Sequence, residues 1–142
     1  MNSTLIANWN QVVGPEDIVF HLGDFCFGAA PLWHLLLDRL NGKIYLLEGN
    51  HDCKALNESL IARFEQVSMQ QLIEVGGQKI YLNHYPLLCF AGSEGKIWQL
   101  FGHVHTNPNT QGLDSERLTH LFPCQCHQYP PPKGEGLPLL MY

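Results

Sequence analysis

The sequence predicts an α/β fold, and two patterns of alternation predict it. Over residues 1–64, segments with apolar residues at helical spacing alternate with short apolar runs that end near glycine. This order is typical of parallel strands joined by right-handed helical crossovers. After residue 70, two strand-like runs flank Gly76-Gly77, which is a strong hairpin signal. We therefore expect one mixed sheet, or two packed sheets with helices outside.

Three helices are expected in the first half of the chain. The first is capped by Asn2-Ser3-Thr4 and ends at Gly14-Pro15, and its apolar positions are Leu5, Ile6, Trp9, Val12 and Val13. Pro31 suits the first turn of the second helix, and Gly42 is expected just past its end. The apolar face of this second helix is predicted to consist of Leu32, Leu35, Leu36 and Leu40. A third helix is expected at about residues 55–64.

Four of the five predicted strands end in a turn that carries polar side chains. The strand 17–22 leads into Gly23-Asp24, and the strand 43–48 leads into Gly49-Asn50-His51-Asp52. The second strand of the hairpin is followed by His84, and the strand 97–101 by Gly102-His103-Val104-His105. Open α/β sheets bind ligands at the carboxyl ends of their strands. Carboxylate and amide oxygens together with imidazoles suit a divalent ion and proton transfer, so we predict that the four turns form one metal site.

Each motif also has a simpler explanation. Asp24 could be an ordinary turn aspartate, and His84 a half-buried strand residue. Asp52 could orient His51, which would give it a catalytic role, or it could simply begin the third helix. The histidine pair at 103 and 105 is the strongest motif, because side chains two residues apart on an extended segment point to the same side. The combination of four such turns favours the metal site.

Size, charge and cysteine content limit the function further. A chain of 142 residues is long enough for one domain with a core. The net charge of -5 provides no general attraction to nucleic acid or an anionic membrane, so a nucleic-acid partner is disfavoured. No apolar run approaches the roughly 18 residues of a membrane helix. The five cysteines are scattered and odd in number, which argues against a disulfide framework, and we expect a cytoplasmic protein.

The last part of the sequence has no helical or strand periodicity. We expect one domain over residues 1–123 and an irregular or disordered tail over residues 124–142, which holds four prolines. Cys124-Gln125-Cys126-His127 is similar to part of a zinc site. A second ligand pair at the spacing of a zinc finger is absent, so we favour the irregular tail over a zinc module.

The polar turns occur along the chain in the order Gly23-Asp24, Gly49-Asn50-His51-Asp52, His84 and Gly102-His103-Val104-His105. In this order they resemble the motifs of the calcineurin-like metallophosphoesterases, especially the small bacterial and phage members. The resemblance covers roughly residues 1–122. It implies a four-layer α/β/β/α sandwich that hydrolyses phosphomonoesters or phosphodiesters through metal-activated hydroxide. It also implies that the site binds two divalent cations. Mn²⁺ is the expected metal, and Fe, Zn, Ni or Mg are the alternatives.

The resemblance also implies a role for each site residue. Asp24 would bridge the two cations, and His105 would bind the first of them. The second cation would be completed by Asn50, His84 and His103. His51 would be the general acid, or would stabilise the transition state beside the phosphate.

One family motif is missing from the sequence. Members of the family open with a strand that ends in Asp-x-His, and no Asp-x-His occurs in this chain. We therefore expect an N-terminally truncated sandwich with a weak first metal site. The truncation would leave a sheet edge exposed, through which the chain could self-associate. The alternative to an active phosphoesterase is a catalytically impaired remnant that binds metal through an incomplete first site.

Overall fold

The computed structural model describes residues 3–90 and 97–104, which form three helices and six strands. The helices are α1 (Ser3–Val12), α2 (Ala30–Leu37) and α3 (Glu58–Ile61). The strands are β1 (Ile18–His21), β2 (Lys43–Leu47), β3 (Gln66–Ser68), β4 (Gln70–Val75), β5 (Gln78–Asn83) and β6 (Ile97–Phe101). The predicted α/β class is confirmed. The boundary at residue 123, the tail 124–142 and the Cys124–His127 motif lie outside the described residues.

The first sheet is parallel, in the order β1-β2-β3. This is the arrangement that the alternation of helices and strands predicts. Strand β3 was not anticipated, because its three residues include only one apolar side chain, Val67. Within the described residues β1 pairs with β2 alone and therefore forms one edge of this sheet.

Helices α1 and α2 cover one face of the first sheet. The core between them includes Ile6, Trp9, Val19, Trp33, Leu36 and Ile44. The predicted apolar face of α2 is partly wrong, because Trp33 takes an inward position while Leu35 is 54% exposed. Trp33 also donates from its indole nitrogen to the carbonyl of Gly28, which holds the entry to the helix.

Two predicted helix boundaries need correction. Helix α2 ends at Leu37, so Gly42 lies in the turn before β2 and not at the helix terminus. Glycine is required there because φ is 96° and because an added Cβ would lie only 2.7 Å from the side chain of Val13. Helix α3 is only one turn long, and the side chain of Asn57 caps it by accepting from Leu60 N–H at 3.0 Å.

The second sheet has the order β4-β5-β6 and packs on the first. Strands β4 and β5 form the predicted hairpin, and Gly76 and Gly77 both have positive φ, as a type I′ turn requires. Strand β6 runs parallel to β5. The core between the sheets consists of Leu22, Leu47, Ile80, Leu82 and Leu100.

The described residues thus form three layers, namely helices, first sheet and second sheet. The fourth layer of the sandwich and the truncation stay predictions. No helix among residues 3–90 and 97–104 is long and apolar enough to cross a membrane.

Candidate metal centre

The turns that follow β1, β2, β5 and β6 meet at one place. Ligand atoms of Asp24, His84 and His103 all lie within 4.8 Å of one another. Asn50 joins them, since its Oδ1 lies 3.1 Å from His84 Nε2 and 3.0 Å from His103 Nδ1. Four of the sequence-predicted donors therefore share one cluster. The fifth, His105, lies outside the described residues.

His84 is the buried centre of the cluster, with 1% of its surface exposed. Its Nδ1 donates to the carbonyl of Leu22 at 2.7 Å, because a carbonyl can only accept. In the neutral ring this bond fixes the tautomer and leaves the lone pair on Nε2. Nε2 faces Asp24 Oδ2 at 3.6 Å and Asn50 Oδ1. The ring is therefore oriented by the backbone and presents its basic nitrogen to the other donors.

Two glycines allow the turns to approach the His84 ring this closely. A Cβ on Gly23 would lie 2.3 Å from His84 Nδ1. A Cβ on Gly49 would lie 2.4 Å from Asp24 Oδ1 and 2.9 Å from His84 Cε1. No side chain fits at either position without moving the turn. The glycine that precedes each polar group is thus required by packing at the cluster.

Two of the donors have strained backbones. Asp24 has φ 55° and His103 has φ 63°, and they are the non-glycine residues with positive φ in the described part of the chain. At His103 the strain belongs to a tight γ-turn, in which Val104 N–H donates to the carbonyl of Gly102 at 2.7 Å. Strained residues persist where the surrounding structure holds them, and they concentrate at functional sites.

Asp52 ties two of the turns together. Its carboxylate accepts from the backbone N–H groups of Asp24 at 2.8 Å, Phe25 at 2.9 Å and Gly49 at 2.9 Å. The side chain is fully buried, and burial raises the pKa of Asp52 despite these three hydrogen bonds, with a smaller contribution from the charge of Asp24. Neither anticipated role describes these contacts: α3 begins at Glu58, and the carboxylate is occupied by backbone amides.

His51 lies on the solvent side of the cluster. Its backbone N–H donates to Asp24 Oδ1 at 3.0 Å. Its imidazole is exposed and is not one of the groups that meet in the cluster. The ring contacts Phe27, with centroids 4.9 Å apart. His51 is thus fixed by its backbone beside Asp24, while its side chain faces a groove.

A family model described as calcineurin-like phosphoesterase matches residues 3–130. The chain belongs to this family. A curated relative, an uncharacterized protein of Methanocaldococcus jannaschii, is 38% identical over 113 residues, which cover 75% of this chain. The aligned region is 54% of that relative, so the chain spans about half of its length. No solved structure matches the chain at a significant level. The resemblance of the sequence to this family is confirmed.

The spacing of the donors in this family member fits a divalent ion. With Nδ1 protonated, His84 Nε2 and Asn50 Oδ1 are both acceptors, yet they face each other at 3.1 Å. Neighbouring ligands of an octahedral ion, at bond lengths of about 2.1 Å, lie about 3.0 Å apart. The two contacts of Asn50 Oδ1 with imidazole nitrogens have this spacing. A cation would remove the repulsion between lone pairs, so these residues fit the metal that the family implies.

His21, at the end of β1, is a buried histidine behind the cluster. Burial lowers its pKa to about 4; the charge of Asp24 opposes this shift and His84 adds to it. Its Nδ1 has no hydrogen-bond partner within the part of the chain that the structure describes. The ring packs edge-on against Phe25, with centroids 5.1 Å apart. His21 is therefore a neutral residue of the protein interior.

Two side chains that support the donor cluster were missed in the sequence. The Tyr85 ring packs against His84 and His103, at centroid distances of 4.8 and 4.9 Å. Buried Gln99 accepts from Leu87 N–H and donates to the carbonyl of Tyr85, which braces this turn. A glutamine inside the apolar run of β6 was the available signal, since a buried amide requires partners.

Proposed function

We propose that this chain is a metal-dependent phosphoesterase that hydrolyses a phosphomonoester or a phosphodiester. The observation that carries the proposal is the meeting of Asp24, Asn50, His84 and His103 with the spacing of metal ligands. Membership of the calcineurin-like phosphoesterase family supports the same reaction.

The proposed centre uses two divalent ions. Asp24, Asn50, His84 and His103 would hold one of them, and Asp24 and His105 would supply ligands to the other. Mixed oxygen and imidazole ligands suit Mn²⁺, and Fe, Zn, Ni or Mg are the other candidates. When bound, the ions polarise a phosphoryl oxygen and lower the pKa of bound water toward neutrality.

The remaining proposed roles belong to side chains around the donors. His51 gives a proton to the leaving oxygen, or stabilises the negative charge that develops on the phosphate. Two observations support this role: the ring is exposed, and the backbone N–H of the same residue bonds to Asp24. Asp52 acts as a positioning residue, because its three backbone hydrogen bonds hold the turns of Asp24 and Gly49.

The experiment measures hydrolysis of p-nitrophenyl phosphate with Mn²⁺ and with a chelator. His51→Ala is expected to lower kcat by about 10²–10⁴-fold, the usual contribution of a general acid, while Mn²⁺ affinity stays the same. His103→Ala is expected to weaken Mn²⁺ binding by at least about tenfold. Mutation of a residue that only hydrogen-bonds to a metal ligand already has an effect of this size, and His103 is proposed as a ligand itself.

His34→Ala is the matched control, because His34 contacts Ser59 and Arg63 on the surface. Its Mn²⁺ affinity and kcat are expected to equal those of the wild type. A His103→Ala variant that behaves like His34→Ala would contradict the assignment of the centre.

The second candidate function is a metal-binding remnant without turnover. It is favoured by the fact that the donors that meet among the described residues suffice for one ion. Calorimetric titration with Mn²⁺ separates the two functions. A stoichiometry near two ions per chain supports the enzyme, and a stoichiometry near one with no hydrolysis supports the remnant.

A further inference from the structure

An open groove begins at His51, next to the metal centre. Its volume is about 550 Å³, which lies within the usual range for sites that bind small organic molecules. The lining is mainly apolar and includes Phe27, Ala29, Ala30 and Ala55. The polar lining includes His51 and Lys54. Because His51 N–H also binds Asp24, the groove and the donor cluster share a boundary.

Phe27 gives the groove a flat apolar wall. Its side chain is 72% exposed, which makes it the most exposed Phe, Tyr or Trp side chain among the described residues. One part of the ring contacts His51, with an interplanar angle of 56°, and most of the rest faces solvent. An aromatic ring in this position can stack on another flat ring, since offset stacking stabilises such pairs beyond the burial of area.

Lys54 supplies positive charge at the same groove. Within residues 3–90 and 97–104 the ion pairs of Lys and Arg use Lys43 and Arg63, so Lys54 is left without a carboxylate partner there. In a chain of net charge -5, a free ammonium that lines the groove next to His51 favours an anionic ligand locally.

We propose that this groove binds the alcohol part of the substrate, and that the substrate is a phosphate ester whose alcohol carries a flat aromatic or heteroaromatic ring. The ring stacks on Phe27, and Lys54 attracts the phosphate toward the centre. This proposal rests on the phosphoesterase function and adds the class of substrate.

The experiment compares kcat/KM within two pairs of substrates. In each pair one substrate carries a flat ring and the other does not. Adenosine 5′-phosphate is paired with ribose 5-phosphate, and phenyl phosphate with cyclohexyl phosphate. The intrinsic reactivity of each leaving group cancels when the ratio within a pair is compared between wild type and variant. Phe27→Ala is expected to lower the ratio of at least one pair by about fivefold or more, the usual effect of removing a stacking aromatic residue.

Two further variants separate stacking from charge and from general surface effects. Leu88→Ala is the control, since Leu88 is 76% exposed and lies outside the groove, and its ratios are expected to equal those of the wild type. Lys54→Met is expected to lower kcat/KM for both members of a pair by a similar factor. Unchanged ratios in Phe27→Ala for both pairs would overturn the proposal.

Binding without turnover makes the test independent of the proposed reaction. With a chelator present, saturation-transfer NMR is expected to show weaker binding of adenosine to Phe27→Ala than to Leu88→Ala. Equal signals for both variants would overturn the ring site even where hydrolysis is observed. Lack of hydrolysis with a Phe27-dependent adenosine signal would instead overturn the phosphoesterase function and retain the ring site. A third outcome is that Phe27→Ala is less stable than the wild type while its kcat/KM ratios and its adenosine signal are unchanged. This outcome would also overturn the ring site, and it would mean that another segment of the chain covers the groove.

Discussion

Replacement of the buried carboxylate Asp52 by an amide should destabilise the fold and weaken the metal centre together. The carboxylate accepts three backbone N–H groups, two of them, from Asp24 and Gly49, at Oδ2. An asparagine side chain in the same place has a single oxygen, so its NH₂ group would face either this pair of N–H groups or the N–H of Phe25. A lost hydrogen bond to a charged group is worth about 1.5–3 kcal/mol, and a buried unsatisfied amide costs about 1–3 kcal/mol.

The burial of a charge offsets part of this loss, because burial raises the pKa of Asp52 and the amide carries no charge to desolvate. We therefore expect Asp52→Asn to lower the free energy of unfolding by about 2 kcal/mol. For a urea m-value of about 2 kcal/mol/M, the midpoint of unfolding falls by about 1 M. The two turns also loosen, so Mn²⁺ affinity is expected to fall by about 10–100-fold.

Asp17→Asn provides a matched control for this substitution. Asp17 accepts from one backbone group, Gly14 N–H at 2.7 Å, and the remaining oxygen of an asparagine can keep that bond. The control is expected to change the free energy of unfolding by less than about 0.5 kcal/mol. Equal urea midpoints for Asp52→Asn and Asp17→Asn would refute the assignment of Asp52 as the residue that holds the turns.

Three further predictions concern other parts of the structure. The pKa of His21 is about 4 in the folded chain and 6.5 in the unfolded chain, so the unfolded chain binds the proton first as the pH falls from 6.5 to 4. Over this range, and with a chelator present, the wild type should lose about 1.4 kcal/mol of folding stability per pH unit relative to His21→Leu. Gly49→Ala forces a Cβ to 2.4 Å from Asp24 Oδ1 and should abolish tight Mn²⁺ binding, whereas Gly14→Ala, with 3.4 Å to its nearest neighbour, should bind as the wild type does. Among the described residues β1 pairs with β2 alone, and an edge strand of this kind predicts self-association, which would appear as concentration-dependent sedimentation and is refuted by a constant monomer.

The strand-end turns could be predicted from the sequence because they combine local signals. A glycine before Asp24 or before Asn50 marks the end of an apolar run, and the residues that follow are donors. Parallel strands bring such ends to the same edge of a sheet, so the convergence of donors follows from the order of elements. The hairpin at Gly76-Gly77 was predictable for the same reason, since its positive φ values are a local demand.

Features that depend on distant contacts could not be predicted. Strand β3 forms because Gln66, Val67 and Ser68 pair with β2, although their own composition carries no strand pattern. The inward position of Trp33 on α2 is set by its packing against Phe25 and Phe64. The partners of Asp52 are backbone amides, two of them in a turn 27 and 28 residues earlier, and amides leave no trace in the sequence.

The close approach of the turns to the His84 ring affects how substitutions there should be interpreted. The imidazole fills the space between the turns of Gly23 and Gly49, and it carries a hydrogen bond to Leu22. His84→Ala would therefore remove a spacer as well as a ligand, and the turns could collapse into the vacated volume. Loss of metal in that variant would report a change in shape and not the strength of one coordinate bond. Side chains of similar bulk, as in His84→Gln, are needed to measure the ligand alone.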